Sequence, residues 1–157
     1  MIIATTHQNT DFDGLASVIA ATLIYPDCVP VLPAQVNPNL KPFLSIHKDL
    51  FNFKTPDEID LDAITQLVVV DINRWNRLGR LKQLRDKTDL VIYLWDHHSG
   101  EGDIQSAWSV ASSPLDPRRS TEGVTAPFPP AFRGRLDGTD ERVLFAAGEV
   151  TRNCSKY

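Results

Sequence analysis

Residues 1–103 alternate short apolar runs with stretches of helical periodicity. MIIATT (1–6) is a β-branched run of strand length. Asp13-Gly14 leads into LASVIAATLIY (15–25), apolar enough for a buried helix, and Pro26-Asp27 ends it. VPVL (29–32) is a second short strand. Asn37-Pro38 reads as an N-cap with proline at the first helical position, opening NPNLKPFLSIHKDL (37–50) as a helix despite Pro42. Thr55-Pro56-Asp57-Glu58 repeats the start signal more clearly. QLVVVD (66–71) is a continuous apolar strand ending in a carboxylate. RWNRLGRLKQLRD (74–86) places Trp75, Leu78, Leu81 and Leu84 at helical spacing between basic residues. DLVIYLWDHH (89–98) is another apolar strand with a polar end. Unbroken apolar strands separated by helices indicate a parallel sheet covered on both faces. The pattern predicts a doubly wound α/β domain with a mainly parallel sheet of at least four strands.

The pattern stops after residue 103. Residues 112–130 (SSPLDPRRSTEGVTAPFPP) hold five prolines and follow neither period. Only ERVLFAAGEV (141–150) is helix-like. Charge changes as well: residues 1–103 carry 9 basic and 14 acidic side chains, residues 104–157 carry 7 and 6. An unpatterned stretch of that length is foreign to a compact domain. The sequence therefore divides near Ile104 into an α/β domain, incomplete as a sheet, and an irregular Pro/Arg-rich tail.

With 157 residues the chain has room for one core, and its net charge of −4 offers no overall basic field for nucleic acid. No apolar run is long enough to span a membrane, and no basic-then-apolar leader opens the chain. The two cysteines, Cys28 and Cys154, set no disulfide framework or zinc spacing. A cytoplasmic, reduced protein is the expectation. A sheet lacking one edge would expose a strand, so self-association through that edge is expected too.

Chemistry concentrates where strands end. In open α/β sheets, ligands bind beyond the carboxyl ends of the strands. His7, Asn9, Asp11 and Asp13 follow the first strand, Asp71 closes QLVVVD, and Asp96-His97-His98 close the last apolar strand. Clustered carboxylates repel one another unless a cation neutralises them. Mixed His and Asp ligands without thiolate suit Mn²⁺, Mg²⁺ or Zn²⁺. Simpler readings exist for each group. An Asp before LASVIAATL caps a helix, but capping explains one Asp, not two and His7. Asp71 alone could be a solvated strand end, and Asp-His-His a polar turn. A calcium loop starting at Asn9 would need Glu at its twelfth position, where Ala20 stands. No G-x-G-x-x-G follows the first strand, which argues against a dinucleotide-binding domain. His47 fits none of the three groups and reads as a surface residue of its helix.

His-x₃-Asp-x-Asp-Gly at 7–14, Asp71, and Asp96-His97-His98 resemble, in order, the first three motifs of the DHH phosphoesterase superfamily. That superfamily includes single-strand exonucleases, oligoribonuclease/pAp phosphatases, cyclic-dinucleotide phosphodiesterases and family II inorganic pyrophosphatases. TTHQNTDFDGLAS (5–17) with DHHSGEGD (96–103) also looks like the DHH domain fused to CBS and tRNA nucleotidyltransferase/poly(A) polymerase modules. The resemblance implies a Rossmann-like domain and a two-metal phosphohydrolase, usually with two Mn²⁺. It implies a small phosphorylated substrate or short single-stranded nucleic acid. By position, His7 and Asp11 would hold one ion, Asp13 and His97 the other, and Asp71 would bridge them. His98 would face the substrate phosphate, Asp96 would support the histidine pair, and Asn9 would contact substrate or shape the turn. The superfamily's fourth motif, a helix ending in a small-residue turn and another Asp, has only a faint counterpart in LFAAGEVTRN (144–153), where Arg152 and Asn153 replace the Asp. The break in composition near residue 104, beside that departure, leads to the expectation of a chain truncated or frame-shifted there, its hydrolytic activity lost or reduced. The alternative is a non-catalytic metal- or nucleotide-binding remnant of a larger DHH protein.

Overall fold

A computed structural model describes residues 1–47, 50–98 and 101–111. Strand β1 (Ile2–Thr5) is followed by helix α1 (Phe12–Ile24), β2 (Val29–Val31), α2 (Leu40–His47), β3 (Gln66–Val70), β4 (Val91–Asp96) and β5 (Trp108–Ala111). Short 3₁₀ helices occupy Pro56–Glu58, Trp75–Arg77 and Gly79–Asp86. The five strands form one sheet in the order β2-β1-β3-β4-β5, every pair parallel. This is a common doubly wound order, in which the chain winds one way to β2 and the other way to β5. The switch point lies between β1 and β3.

Both faces are buried, which is why the strands read as unbroken apolar runs. Ile3, Leu67, Val69, Ile92 and Leu94 face one core, packed under the 3₁₀ segment by Trp75, Leu78, Leu81 and Leu84. Ala4, Val68 and Val70 face the other, under Leu15, Val18 and Ala21 of α1. The expectation of a doubly wound α/β sheet is met.

Local elements depart from expectation in informative ways. The segment expected as one helix over 74–86 is 3₁₀ rather than α. Its four apolar residues recur every third position, and a helix with three residues per turn aligns them on one face. The start signal at Thr55 produces a single turn: the Glu58 carboxylate accepts from the Thr55 amide (2.6 Å) and hydroxyl (2.8 Å). Those bonds hold the Glu58 carboxyl below its ordinary range. Asn37 caps a turn through the Asn39 amide (3.0 Å), and α2 begins only at Leu40. Pro42 then falls in the first turn, where its missing N–H has no intrahelical role.

β5 is built from residues beyond the division drawn near Ile104, and Ile104 itself is buried in the core. The Pro-rich composition begins only at Ser112. The expected irregular tail, the helix at 141–150 and the LFAAGEVTRN segment lie outside the described residues, apart from β5 and the approach to it. The β2 edge is not bare: the Lys54 amide donates to the Pro30 carbonyl (2.9 Å) and the Leu32 amide to the Lys54 carbonyl (2.9 Å). Among the described residues no helix is long and apolar enough to cross a membrane.

Candidate metal centre

His7 follows β1, Asp71 follows β3, Asp96 ends β4 and His97 and His98 follow it, so parallel pairing brings all three groups to one edge of the sheet. Asp71 stands at the middle. It turns out of β3 with φ +59°, a left-handed conformation that Asp tolerates better than most residues. Its amide donates to the Trp95 carbonyl (2.8 Å), which ties this turn to β4. The carboxylate is buried, and its two oxygens look different ways. Oδ2 lies 3.4 Å from His7 Nε2, while Oδ1 lies 3.5 Å from His97 Nε2 and 3.9 Å from His98 Nδ1. Two donor groups result, His7–Asp11–Asp71 and Asp71–His97–His98, each with ligand atoms within 4.8 Å of one another. Asp71 belongs to both.

His7 and His98 are each oriented through Nδ1. His7 Nδ1 lies 2.8 Å from the Gln8 carbonyl. A proton on Nδ1 satisfies that carbonyl and leaves the Nε2 lone pair facing Asp71 and Asp11. Arg77 Nη2 is 3.3 Å from the same Nδ1. With the Nδ1 proton on the carbonyl, this is close approach of a cation rather than a hydrogen bond. The Asp71 carboxylate, which would accept from Nε2 of the protonated ring, raises the His7 pKa above its ordinary value, against the opposing effect of burial. His98 Nδ1 is 2.6 Å from Asp96 Oδ1, and Asp96 is buried. Asp96 therefore orients His98 through Nδ1.

Asp11 does cap α1, accepting from the Asp13 and Gly14 amides, each at 3.1 Å. The same oxygen sits 4.0 Å from His7 Nε2. These two roles separate by mutation. Asp11→Ala is expected to lower metal-free stability by about 1 kcal/mol, whereas Asp11→Asn, an equal cap, leaves it unchanged. Both weaken metal binding if Asp11 is a ligand. Thermal melts with and without Mn²⁺ measure the two effects.

Asp13, expected beside His97, is in neither of these groups, and His98 lies near Asp71 and His97 in the second. Asp13 nonetheless shares the electrostatic neighbourhood. Burial pushes its carboxyl up, and the negative charge of Asp71 adds to the rise. Bound cations would reverse that effect. Asn9 adopts φ +62° in the turn, and its amide donates to the Gln35 carbonyl (2.8 Å), a turn-shaping role. His47 lies on α2, its ring 4.5 Å from that of Phe43.

Sequence reading missed two supports. Gly14 seats α1 on the His7 loop: a Cβ there would lie 2.8 Å from Thr6 Oγ1 and 3.3 Å from His7 Nε2. Gly102 packs on Asn73, whose carbonyl would be 2.5 Å from an added Cβ. Beside it, the Asp103 and Ile104 amides donate to that carbonyl (2.9 and 3.2 Å), and Asp103 Oδ1 accepts from the Trp75 amide (2.8 Å). This fastens the segment after the histidine pair against the segment after Asp71. The signal was the glycine-acidic run GEGD itself.

The donor set suits hard or borderline divalent cations. Cys28 precedes β2 at the opposite end of the sheet, and burial pushes its thiol up to about 12, so it offers no thiolate. Residues 1–132 match the family model described as the DHH family, N-terminal domain. The chain belongs to the DHH family. DHH domains are, as a class, metal-dependent phosphoesterases, and this chain has His and Asp groups at one sheet edge that could hold a metal ion. The match also runs past residue 104, in keeping with the position of β5. Over 107 residues, 67% of its length, the chain is 33% identical to an A-adding tRNA nucleotidyltransferase of Geobacter sulfurreducens. It spans 12% of that relative's length.

Proposed function

We propose that this DHH domain hydrolyses phosphodiester or phosphoanhydride bonds of a nucleotide, oligonucleotide or pyrophosphate, with two divalent ions, Mn²⁺ before Mg²⁺. The single observation that carries this reading is the Asp71 carboxylate, which offers one oxygen to each of two donor groups. A carboxylate shared in that way keeps two cations side by side. His7 and Asp11 would complete one position. His97 would complete the other together with Asp13, while His98 would face the substrate. When bound, the ions supply polarisation of water and of the phosphoryl group.

The chain's own residues do the rest. The Gln8 carbonyl fixes the His7 tautomer. Asp96 holds His98 by Nδ1, so that the half-exposed ring points its Nε2 at a phosphoryl oxygen of the substrate. The hydrogen bond from the Asp71 amide to the Trp95 carbonyl and the burial of the next residue, Ile72, anchor the left-handed turn at Asp71.

A second reading has its own support. The similarity to a tRNA nucleotidyltransferase of much greater length favours a metal- or nucleotide-binding module that works within a larger protein. One experiment separates the two. On the first reading, the full chain hydrolyses a short oligonucleotide or pyrophosphate with Mn²⁺, stops when the metal is chelated, and loses activity in His97→Ala. Metal uptake without turnover of either substrate supports the second.

A further inference from the structure

Phe12 occupies an odd place. It is the first residue of α1, lies between Asp11 and Asp13, and is 50% exposed. Its ring meets Phe43 of α2 edge-on, centroids 5.5 Å apart at 76°. The Phe43 ring in turn lies 4.5 Å from that of His47. Phe12 of α1 and Phe43 and His47 of α2 are therefore in successive ring contact, the first of them next in sequence to the site carboxylates Asp11 and Asp13. Neither core absorbs Phe12; Phe43 and Leu44 are partly buried against the core on the α1 face, and α2 buries only Leu40 fully while leaving Ile46 exposed. Beside the row, Leu32, Val36, Leu44, Phe53 and Lys54 line a groove of about 700 Å³. The groove joins the site loop directly, because Val36 pairs with Thr10, the residue before Asp11.

We propose that Phe12, Phe43 and His47 form a stacking row for the base of a nucleotide whose phosphate lies at the Asp71 centre. This rests on the phosphoesterase reading above and names its substrate class: a phosphate ester that carries a base. Aromatic side chains accept any base on its π-face, so such a row gives affinity without sequence preference. The position of Phe12 decides between a base and a protein partner. A protein surface seated on Phe12 would cover Asp11 and Asp13 and close the centre. A base attached to a phosphate at the centre uses ring and carboxylates together.

The test compares adenosine 5′-monophosphate with ribose 5-phosphate, the same phosphate without the base, by calorimetry on the Mn²⁺-loaded full chain. The nucleotide is expected to bind about tenfold tighter, a typical stacking effect. Phe12→Leu and Phe43→Leu are expected to erase that gap, with Mn²⁺ and ribose 5-phosphate binding as before, and Phe12→Trp to restore it. Equal affinity of the two ligands for the unaltered chain overturns the inference. So does a gap that persists in both leucine variants, the result expected if the rings serve a protein partner. Absence of Mn²⁺ binding would instead overturn the reading on which it rests.

Discussion

Asp71→Asn is expected to abolish hydrolysis, with kcat/KM lower by on the order of 10³-fold or more, because both ion positions lose their common ligand. Asparagine keeps the shape and the left-handed turn, which it tolerates as well as aspartate does. It removes the negative charge and one of the two anionic oxygens. His7 and His97, now 3.4 and 3.5 Å from a neutral amide, would each face a weaker partner. The metal-free fold should survive, since the amide bond from residue 71 to the Trp95 carbonyl is a backbone bond. Steady-state kinetics with Mn²⁺, beside a circular dichroism spectrum matching the unaltered chain, checks both halves. Near-normal activity in a folded Asp71→Asn chain would remove Asp71 from the chemistry.

The largest effect on stability is expected from Leu81→Ala. Leu81 is fully buried at the middle of the apolar face formed by Trp75, Leu78 and Leu84. Truncating such a leucine costs about 2–5 kcal/mol through lost burial and the cavity left behind. Lys82, one position on, is exposed, and Lys82→Ala should change stability by less than about 0.5 kcal/mol. Denaturant melts of the two variants test whether the three-residue period sets the buried face. Equal, small losses would mean that the 3₁₀ segment does not cover the sheet as described.

Much of this could be read in the chain. QLVVVD and DLVIYLWD announce buried parallel strands because neither shows polar alternation, and both end in the acids that the sheet then brings together. The grouping of His7, Asp71 and His97 followed from strand ends alone. What could not be read depended on backbone geometry rather than residue type. Nothing in NRWNRLG distinguishes a 3₁₀ helix from an α-helix except a period of three against 3.6, a small difference over four residues. That His98, rather than Asp13, stands in the donor group with Asp71 and His97 is a matter of three-dimensional placement that no sequence spacing states. The position of β5 was hidden by its nearness to the Pro-rich stretch, although Trp108-Ser109-Val110 is acceptable strand sequence.

A calorimetric titration of Mn²⁺ into the full chain, repeated with Asp71→Ala, addresses the two-ion centre most directly. Two ions per chain, both lost or strongly weakened in the variant, are the predicted result. A single ion that Asp71→Ala leaves in place, or no binding at all, would contradict a centre built on a shared Asp71.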